Sequence, residues 1–293
     1  MNEGKASAGA VVALGATVVI WASSWIVMKL VLRYAGPFDF SALRYSIGAV
    51  LLFLVLVVLR RPLAPPPLAG TIITGLTQTA AFQGLGQFAL TSGGTGRVVL
   101  LAYAMPFWAV LLAWLILGER PVRRHWIGLA LAAIGLTCVI APWRGLGHPL
   151  STVTALLGGV CWALGTVTSK AMFQRHQPDP LTFTAWQMAF GAAALAIVAF
   201  FVPERSMEWT PAFIAGLVFS VIFATSLAWT LWLLVVRRLP TTVAALSSLA
   251  VPVLSVLMAW VVLHEPPTSN EWVGMAFIVT GLLAVTGVRL TRR

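Results

Sequence analysis

Aromatic and neutral polar side chains stand inside long apolar stretches of this sequence, where they could bind a ligand. Tryptophan and tyrosine rings accept a flat apolar group by stacking, and each ring pair contributes about 0.5–1.5 kcal/mol beyond simple burial. Glutamine and serine can hydrogen-bond an amino or carboxylate group without carrying a charge themselves. These types favour a binding site for a small amphipathic molecule. The residues that we expect to bind it are Trp21, Gln78, Phe82, Tyr103, Trp162, Trp186, Gln187 and Ser248.

The aromatic candidates also have a purely structural interpretation. Trp21 and Trp162 occupy equivalent places in two similar stretches, and each could line a cavity or only pack between helices. Gln78 and Tyr103 favour the cavity, because a polar group in hydrocarbon needs a hydrogen-bonding partner.

Ionisable residues are scarce inside the apolar stretches. The acidic residues and all 4 histidines fall in predicted loops, at span ends or in the amino-terminal tail. An enzyme acting on a lipid-linked substrate, the alternative to a binding or transport function, would need a nucleophile with its base, an acid and base pair or a metal cluster. Cys138 and Cys161 are interpreted as small packing residues. We therefore expect no catalytic residue, no metal site and no cofactor.

The composition indicates that lipid surrounds most of the chain. Hydrophobic residues make up 59% of the 293 residues, charged residues make up 9%, and the mean hydropathy is +0.93. A soluble domain carries roughly 25% charged residues. Continuous apolar runs of about 20 residues predict helices that cross a bilayer core. The ten predicted spans are Ala8–Leu32, Phe40–Leu59, Leu68–Thr91, Val98–Leu117, Trp126–Ile140, Leu150–Phe173, Leu181–Val202, Pro211–Val236, Thr242–Leu263 and Trp272–Val288.

The net charge of +11 follows from membrane topology rather than from nucleic-acid binding. With ten spans, 12 of the 19 Lys and Arg residues fall on the side of the amino terminus and 4 fall on the opposite side. Short loops rich in Lys and Arg stay in the cytoplasm, so both termini are expected to be cytoplasmic. The partners we expect are therefore a lipid bilayer and a small molecule, and no nucleic acid.

One pattern of residues is written twice in the chain. Residues 105–135 and 251–281 share 12 identities in 31 positions at a constant offset of 146. The recurring residues include Pro106, Trp114, Glu119, Trp126, Gly128 and Gly135, which return as Pro252, Trp260, Glu265, Trp272, Gly274 and Gly281. A second match relates Trp21 through Lys29 to Trp162 through Lys170 at an offset of 141.

The odd number of spans in each half inverts the second copy. Arg120, Arg123 and Arg124 surround Glu119, whereas Glu265 has no Lys or Arg beside it, as expected if the two motifs face opposite sides of the bilayer. The predicted fold is an all-α integral membrane protein of ten transmembrane helices, arranged as two inverted five-helix repeats around a central cavity. The repeats are residues 1–146 and 147–293, which together form one transport domain.

Prolines and glycines recur inside the predicted spans. Pro106 and Pro252 are each expected to bend a helix, either as a static kink or as one of a pair of hinges that border a transport site. The glycine pairs Gly128–Gly135 and Gly274–Gly281 are each seven residues apart, so both members lie on one helix face and suit close helix contact.

A few charged residues lie at span ends. Lys29 and Lys170 are expected to snorkel to the interface. Glu119 and Glu265 are expected to bind loop amides or nearby arginines at the start of the following helix. Arg44 is expected either to pair with Asp39 or to draw a substrate carboxylate toward the outer mouth.

The chain resembles the drug/metabolite transporter superfamily, in its ten-helix branch with two repeated halves. The carrying motifs are Gly118-Glu119-Arg120-Pro121 and His264-Glu265-Pro266-Pro267 with the tryptophans and glycines that follow them, and the match runs from about Ala8 to Val288. Its many aromatic residues are similar to those of bacterial exporters of aromatic amino acids. The resemblance implies an inner-membrane exporter of aromatic or other hydrophobic amino acids by alternating access. A carrier of drugs or other metabolites in the same superfamily is the alternative.

Overall fold

The computed structural model describes residues 3–144, 148–228, 231 and 241–286, whose regular structure is helical throughout. Two stretches wind as π-helix, the first π segment at Gly75–Ala81 and the second π segment at Phe219–Leu227. The α-helices are α1 Glu3–Val31, α2 Pro37–Val58, α3 Leu68–Thr74, α4 Phe82–Ser92, α5 Thr95–Ala102, α6 Met105–Leu117, α7 Arg123–Ile140, α8 Pro149–His176, α9 Pro180–Phe201, α10 Pro211–Val218, α11 Thr241–Leu263 and α12 Ser269–Thr286.

Within the described residues, six helical stretches are long and apolar enough to cross a membrane. Their ends match the predicted spans to within a few residues, and the predicted fifth span lengthens at its start to Arg123. The six are Val12–Val31, Pro37–Val58, Thr95–Leu117, Arg123–Ile140, Pro149–His176 and Pro180–Phe201, and shorter apolar helices cover Pro211–Leu227 and Ala250–Leu263. The fold is therefore that of an all-helical membrane protein.

Local sequence explains where several helices begin. Proline occupies the first helical position of α2, α8, α9 and α10, where its missing N–H removes no intrahelical bond. Asp179 caps α9 by accepting a bond of 2.9 Å from the Thr182 amide, and Thr210 caps α10 through the Phe213 amide.

The two prolines that were expected to bend helices lie in different surroundings. The span that contains Pro106 is interrupted at Tyr103 and Ala104, so Pro106 is the second residue of the new helix α6 and does not bend a continuous helix. Pro252 lies inside the continuous helix α11. A proline in the first helical turn costs no backbone hydrogen bond, whereas Pro252 removes one. The role of either residue as a hinge stays a prediction.

Contacts between helices occur in matching pairs. Helix α1 packs against α11 while α8 packs against α6, and α2 packs against the second π segment while α9 packs against the first. Two further pairs, α2 with α9 and α7 with α12, join helices at equivalent places in the two halves. Residue geometry repeats as well, since Trp114 meets Trp126 edge-on at 5.7 Å and Trp260 meets Trp272 edge-on at 6.4 Å.

Glycines let α7 and α12 touch through their backbones. A Cβ on Gly135 would lie 2.8 Å from the Gly274 carbonyl oxygen, and one on Gly281 would lie 2.9 Å from that of Gly128. Because the later glycine of each helix meets the earlier glycine of the other, the two helices run antiparallel. Small residues at a helix contact in lipid allow this close approach.

Candidate functional site

Four aromatic residues, Trp25, Phe82, Tyr103 and Trp162, form one cluster that we call the aromatic cluster. Trp162 stacks on Phe82 with ring centroids 4.6 Å apart and meets Tyr103 edge-on at 5.3 Å. Trp25 also meets Tyr103 edge-on, with ring centroids 6.3 Å apart. Phe82, Tyr103 and Trp162 were predicted to bind a ligand, and the structure brings these three into contact. Trp25 was not predicted, because its position in α1 carries no pattern that separates it from a packing residue.

Helix α8 reaches the cluster because two glycines stand one turn before Trp162. A Cβ on Gly159 would lie 3.0 Å from the Ala102 carbonyl oxygen, and one on Gly158 would lie 3.5 Å from that of Phe82. Tyr103 stands in the break between α5 and α6, where the helix ends. The cluster therefore joins a helix of the second half to elements of the first.

The other two predicted tryptophans lie in different surroundings. The Trp21 indole donates to the Ala224 carbonyl oxygen in the second π segment at 3.3 Å. The Trp186 indole donates to the Leu63 carbonyl oxygen at 3.0 Å, and its ring contacts are Phe53 and Phe190. Trp186 thus ties α9 to the loop after α2.

The two predicted amide residues lie in or against the first π segment. Gln78 belongs to that segment and packs against Gly165 of α8. Gln187 of α9 is buried, and its Oε1 has no hydrogen-bond partner among the described residues. The Ser248 side chain lies outside the described part of the structure.

Arg44 is a polar residue of the bundle interior whose partner differs from the predicted one. Its Nε donates to the Thr225 hydroxyl at 3.2 Å, and the ion pair expected with Asp39 does not form. Arg44 is only 5% exposed. A repeat of Pro37–Gly48 at Pro180–Gly191, at an offset of 143, could have singled it out, because this alignment sets Arg44 against Gln187.

Charged residues join elements near the ends of the bundle. Lys170 of α8 forms an ion pair of 2.7 Å with Glu119, which follows α6. Its counterpart Lys29 donates instead to the carbonyl oxygens of Leu90 and Gly93, at 2.6 and 2.9 Å. Glu265 accepts from the Thr95 amide at 2.6 Å. We expected each carboxylate to bind at the start of the following helix. Each instead binds a partner far along the chain.

One cavity lies beside these charges at the carboxyl end of α1. Its volume is about 260 Å³, and it is lined by Lys29, Arg33, Leu90, Thr91, Leu263 and Glu265. None of the predicted ligand-binding residues lines it. Within the described residues, no group of three histidine, cysteine or acidic side chains could hold a metal ion.

Known proteins resemble the chain over most of its length. The EamA-like transporter family model matches residues 8–141 and again residues 150–287. A Bacillus subtilis (strain 168) protein named "Uncharacterized transporter YoaV" is 28% identical over 280 residues, which are 92% of this chain and 93% of that protein. The "Probable amino-acid metabolite efflux pump" of Escherichia coli (strain K12) is 26% identical and covers 93% of both.

A solved crystal structure shares the fold. It superposes with a TM-score of 0.65 at 20% sequence identity, over 94% of this chain and 96% of the other. Since the family model covers both halves of the sequence and the described residues fold into an apolar helical bundle, the chain belongs to the EamA-like transporter family and is a membrane transporter rather than an enzyme.

Proposed function

We propose that the protein exports small amphipathic metabolites, with aromatic or other hydrophobic amino acids as its cargo. The observation that carries this proposal is the aromatic cluster, in which rings from both halves of the chain meet. Such rings stack on a flat side chain and tolerate a polar group at its edge. The amino-acid export named for the relative from Escherichia coli is consistent with this cargo.

We further propose that the two halves are inverted repeats that work by alternating access. The antiparallel contact of α7 with α12 supports this arrangement. Gly135 contacts Gly274, which is the repeat counterpart of Gly128, and Gly128 contacts Gly281, which is the counterpart of Gly135. Contacts of this self-complementary kind are typical of a two-fold axis. A ligand held between two such halves can be exposed to either side when one half rocks against the other.

The proposed topology has ten spans with both termini in the cytoplasm of a bacterium. The excess of Lys and Arg on the side of the amino terminus supports it. On this topology the ion pair of Lys170 with Glu119 lies at the cytoplasmic end, and the cavity that Lys29 and Glu265 line lies at the outer end.

The test is flux in liposomes that contain the purified protein. Labelled tryptophan or phenylalanine should leave loaded vesicles faster than it leaves empty-membrane controls. Trp162→Ala and Tyr103→Ala should each lower this flux at least about tenfold, because each removes a ring from the cluster. Tyr103→Phe keeps the ring and should retain most of the flux.

Two controls separate a cargo effect from a folding effect. Each variant must elute as a single species in detergent, and Trp143→Ala, which removes an exposed tryptophan away from the cluster, should transport normally. Tryptophan flux equal to that of empty vesicles would refute the aromatic cargo. Transport of a non-aromatic compound that Trp162→Ala leaves unchanged would favour a carrier of other metabolites.

A further inference from the structure

Arg44 places a positive charge inside the bundle, on α2. Its Nε donates to Thr225, and the guanidinium carbon lies 5.0 Å from the centre of the Tyr45 ring. Within the described residues, no carboxylate lies within 4.0 Å of this guanidinium, and its two terminal nitrogens make no hydrogen bond. A buried charge without a counter-ion is costly in a membrane protein and marks a functional position.

The surroundings of Arg44 are polar on the side of the second π segment. The Thr225 hydroxyl, which accepts from Arg44, donates in turn to the Ser220 carbonyl oxygen at 2.8 Å. The Ser220 hydroxyl is fully buried and has no partner among the described residues. A polar ligand atom would satisfy such groups, and π-helical turns are frequent at functional sites.

An aromatic ring adjoins this polar site. Trp21 donates its indole N–H to Ala224, the residue before Thr225. A flat ring and a cation therefore attach to consecutive residues of one π segment. This combination matches a ligand that carries both a planar apolar group and an anionic group.

The second half repeats the scaffold of this site without its charge. Gly48 of α2 contacts Thr225, and Gly191 of α9 contacts Thr79 of the first π segment, so the two helix contacts correspond. The position of Arg44 is then taken by the neutral Gln187. The bundle thus has one cation, Arg44, and one neutral amide, Gln187, at corresponding positions of the repeat. One cation at these two positions matches the binding of one carboxylate per chain.

We propose that Arg44 binds the carboxylate of the transported molecule. A guanidinium can hold a carboxylate through two parallel hydrogen bonds, and the terminal nitrogens of Arg44 have no hydrogen-bond partner in the part of the chain that the structure describes. This assignment rests on the proposed export of amino acids and adds that the carboxylate is required for recognition.

Competition in the liposome assay tests the assignment. Unlabelled tryptophan and indole-3-propionate, which has the carboxylate but no amine, should both reduce the flux of labelled tryptophan. Tryptamine, which lacks the carboxylate, should compete at least about tenfold more weakly. Arg44→Gln should abolish this preference, and Arg44→Lys, which keeps a positive charge, should preserve part of it. Arg205→Gln removes an exposed arginine and should leave the preference intact.

A binding measurement keeps the two proposals separate. Indole-3-propionate should raise the melting temperature of the detergent-purified wild type but not that of Arg44→Gln, in vesicles or detergent free of anionic lipid. Stabilisation of both proteins to the same extent would overturn the role of Arg44, even if tryptophan is not transported. Normal tryptophan transport in which Arg44→Gln keeps its preference over tryptamine would overturn it too, while leaving the proposed cargo in place.

The melting temperature without ligand excludes a merely structural role. If Arg44 only held α2 to the second π segment, Arg44→Gln should lower this temperature and leave the competitor ratio unchanged. The proposal expects a melting temperature that is unchanged or higher and a competitor ratio that changes, because a buried charge without a counter-ion costs free energy.

Discussion

Glu204 binds the amino-terminal end of α2 from the loop that follows α9. Its carboxylate accepts hydrogen bonds from the amides of Phe38 and Asp39, the shorter of them 2.9 Å long. Gly36 makes room for it, since a Cβ there would overlap the Glu204 side chain. Burial raises the pKa of Glu204 above its usual 4.5, and the charge of Asp39 adds to this, while the amide hydrogen bonds from Asp39 and Phe38 oppose it.

The raised pKa of Glu204 predicts how stability depends on pH. The folded protein binds the Glu204 proton more tightly than the unfolded chain does. The stabilisation of the folded state by this protonated group is therefore complete below about pH 4.5 and is lost as the pH rises through the folded pKa. Thermal unfolding of Glu204→Gln between about pH 4 and pH 7 should therefore lack this decline. Glu271→Gln, which removes a carboxylate bound to Thr268 of its own turn, is the control. An identical pH slope in Glu204→Gln and wild type would contradict the prediction.

The contact of three predicted rings followed from their residue type, and their role in binding a ligand stays a prediction. Phe82, Tyr103 and Trp162 are rings in predicted spans, and they do meet. Trp186 has the same type but contacts a loop, which depends on where α9 packs and not on its own identity. Arg44 drew attention as a charge in a span, yet its partner Thr225 is 181 residues away and no local pattern identifies it.

Helix starts could be read from the sequence, but interruptions of helices could not. Proline marks the first residue of α2, α8, α9 and α10. The break at Tyr103 and Ala104 lies in an apolar run, where Pro106 predicts a bend but does not show that the helix is interrupted. The π segments escaped prediction for a related reason, because apolar periodicity does not separate π-helical from α-helical turns.

Close backbone contact between α7 and α12 predicts a steep cost for one methyl group. Gly135→Ala would place a Cβ 2.8 Å from the Gly274 carbonyl oxygen, which cannot yield as a side chain could. We expect a loss of about 1–3 kcal/mol of stability, typical of overpacking. The control is Gly15→Ala in α1, whose Cβ would meet nothing within 4 Å. Thermal unfolding in detergent measures both variants. Equal melting temperatures for Gly135→Ala and Gly15→Ala would contradict the expectation.

At the scale of the whole molecule, the sequence repeat predicts which helices correspond. Twelve identities at one offset pair α6 with α11, and α7 with α12. The same tryptophan contact joins α6 to α7 and α11 to α12. The difference between the charged groups at the two ends was not predictable, since Lys29 and Lys170 are equivalent in sequence yet bind different groups.

Glu119→Gln should shift the protein toward conformations open at the Lys170 end. The ion pair joins the two halves but is about half exposed, so we expect it to contribute at most about 1 kcal/mol, which is about a fivefold change in population. Cysteines introduced near this end, in a background with Cys138 and Cys161 replaced by serine, should react faster with a polar reagent. Glu271→Gln is again the control, and an unchanged rate in Glu119→Gln would argue against a gate at this end.

The glycine contact of α7 with α12 has a consequence for biosynthesis. Gly274 is translated about 140 residues after Gly135, which at typical ribosome speeds is about 10 to 30 seconds later. During this interval α7 lacks the helix that fits its glycine face. A truncated chain that ends before α12 should therefore leave this face exposed to lipid or to other nascent helices. Quality-control proteases should degrade such a chain.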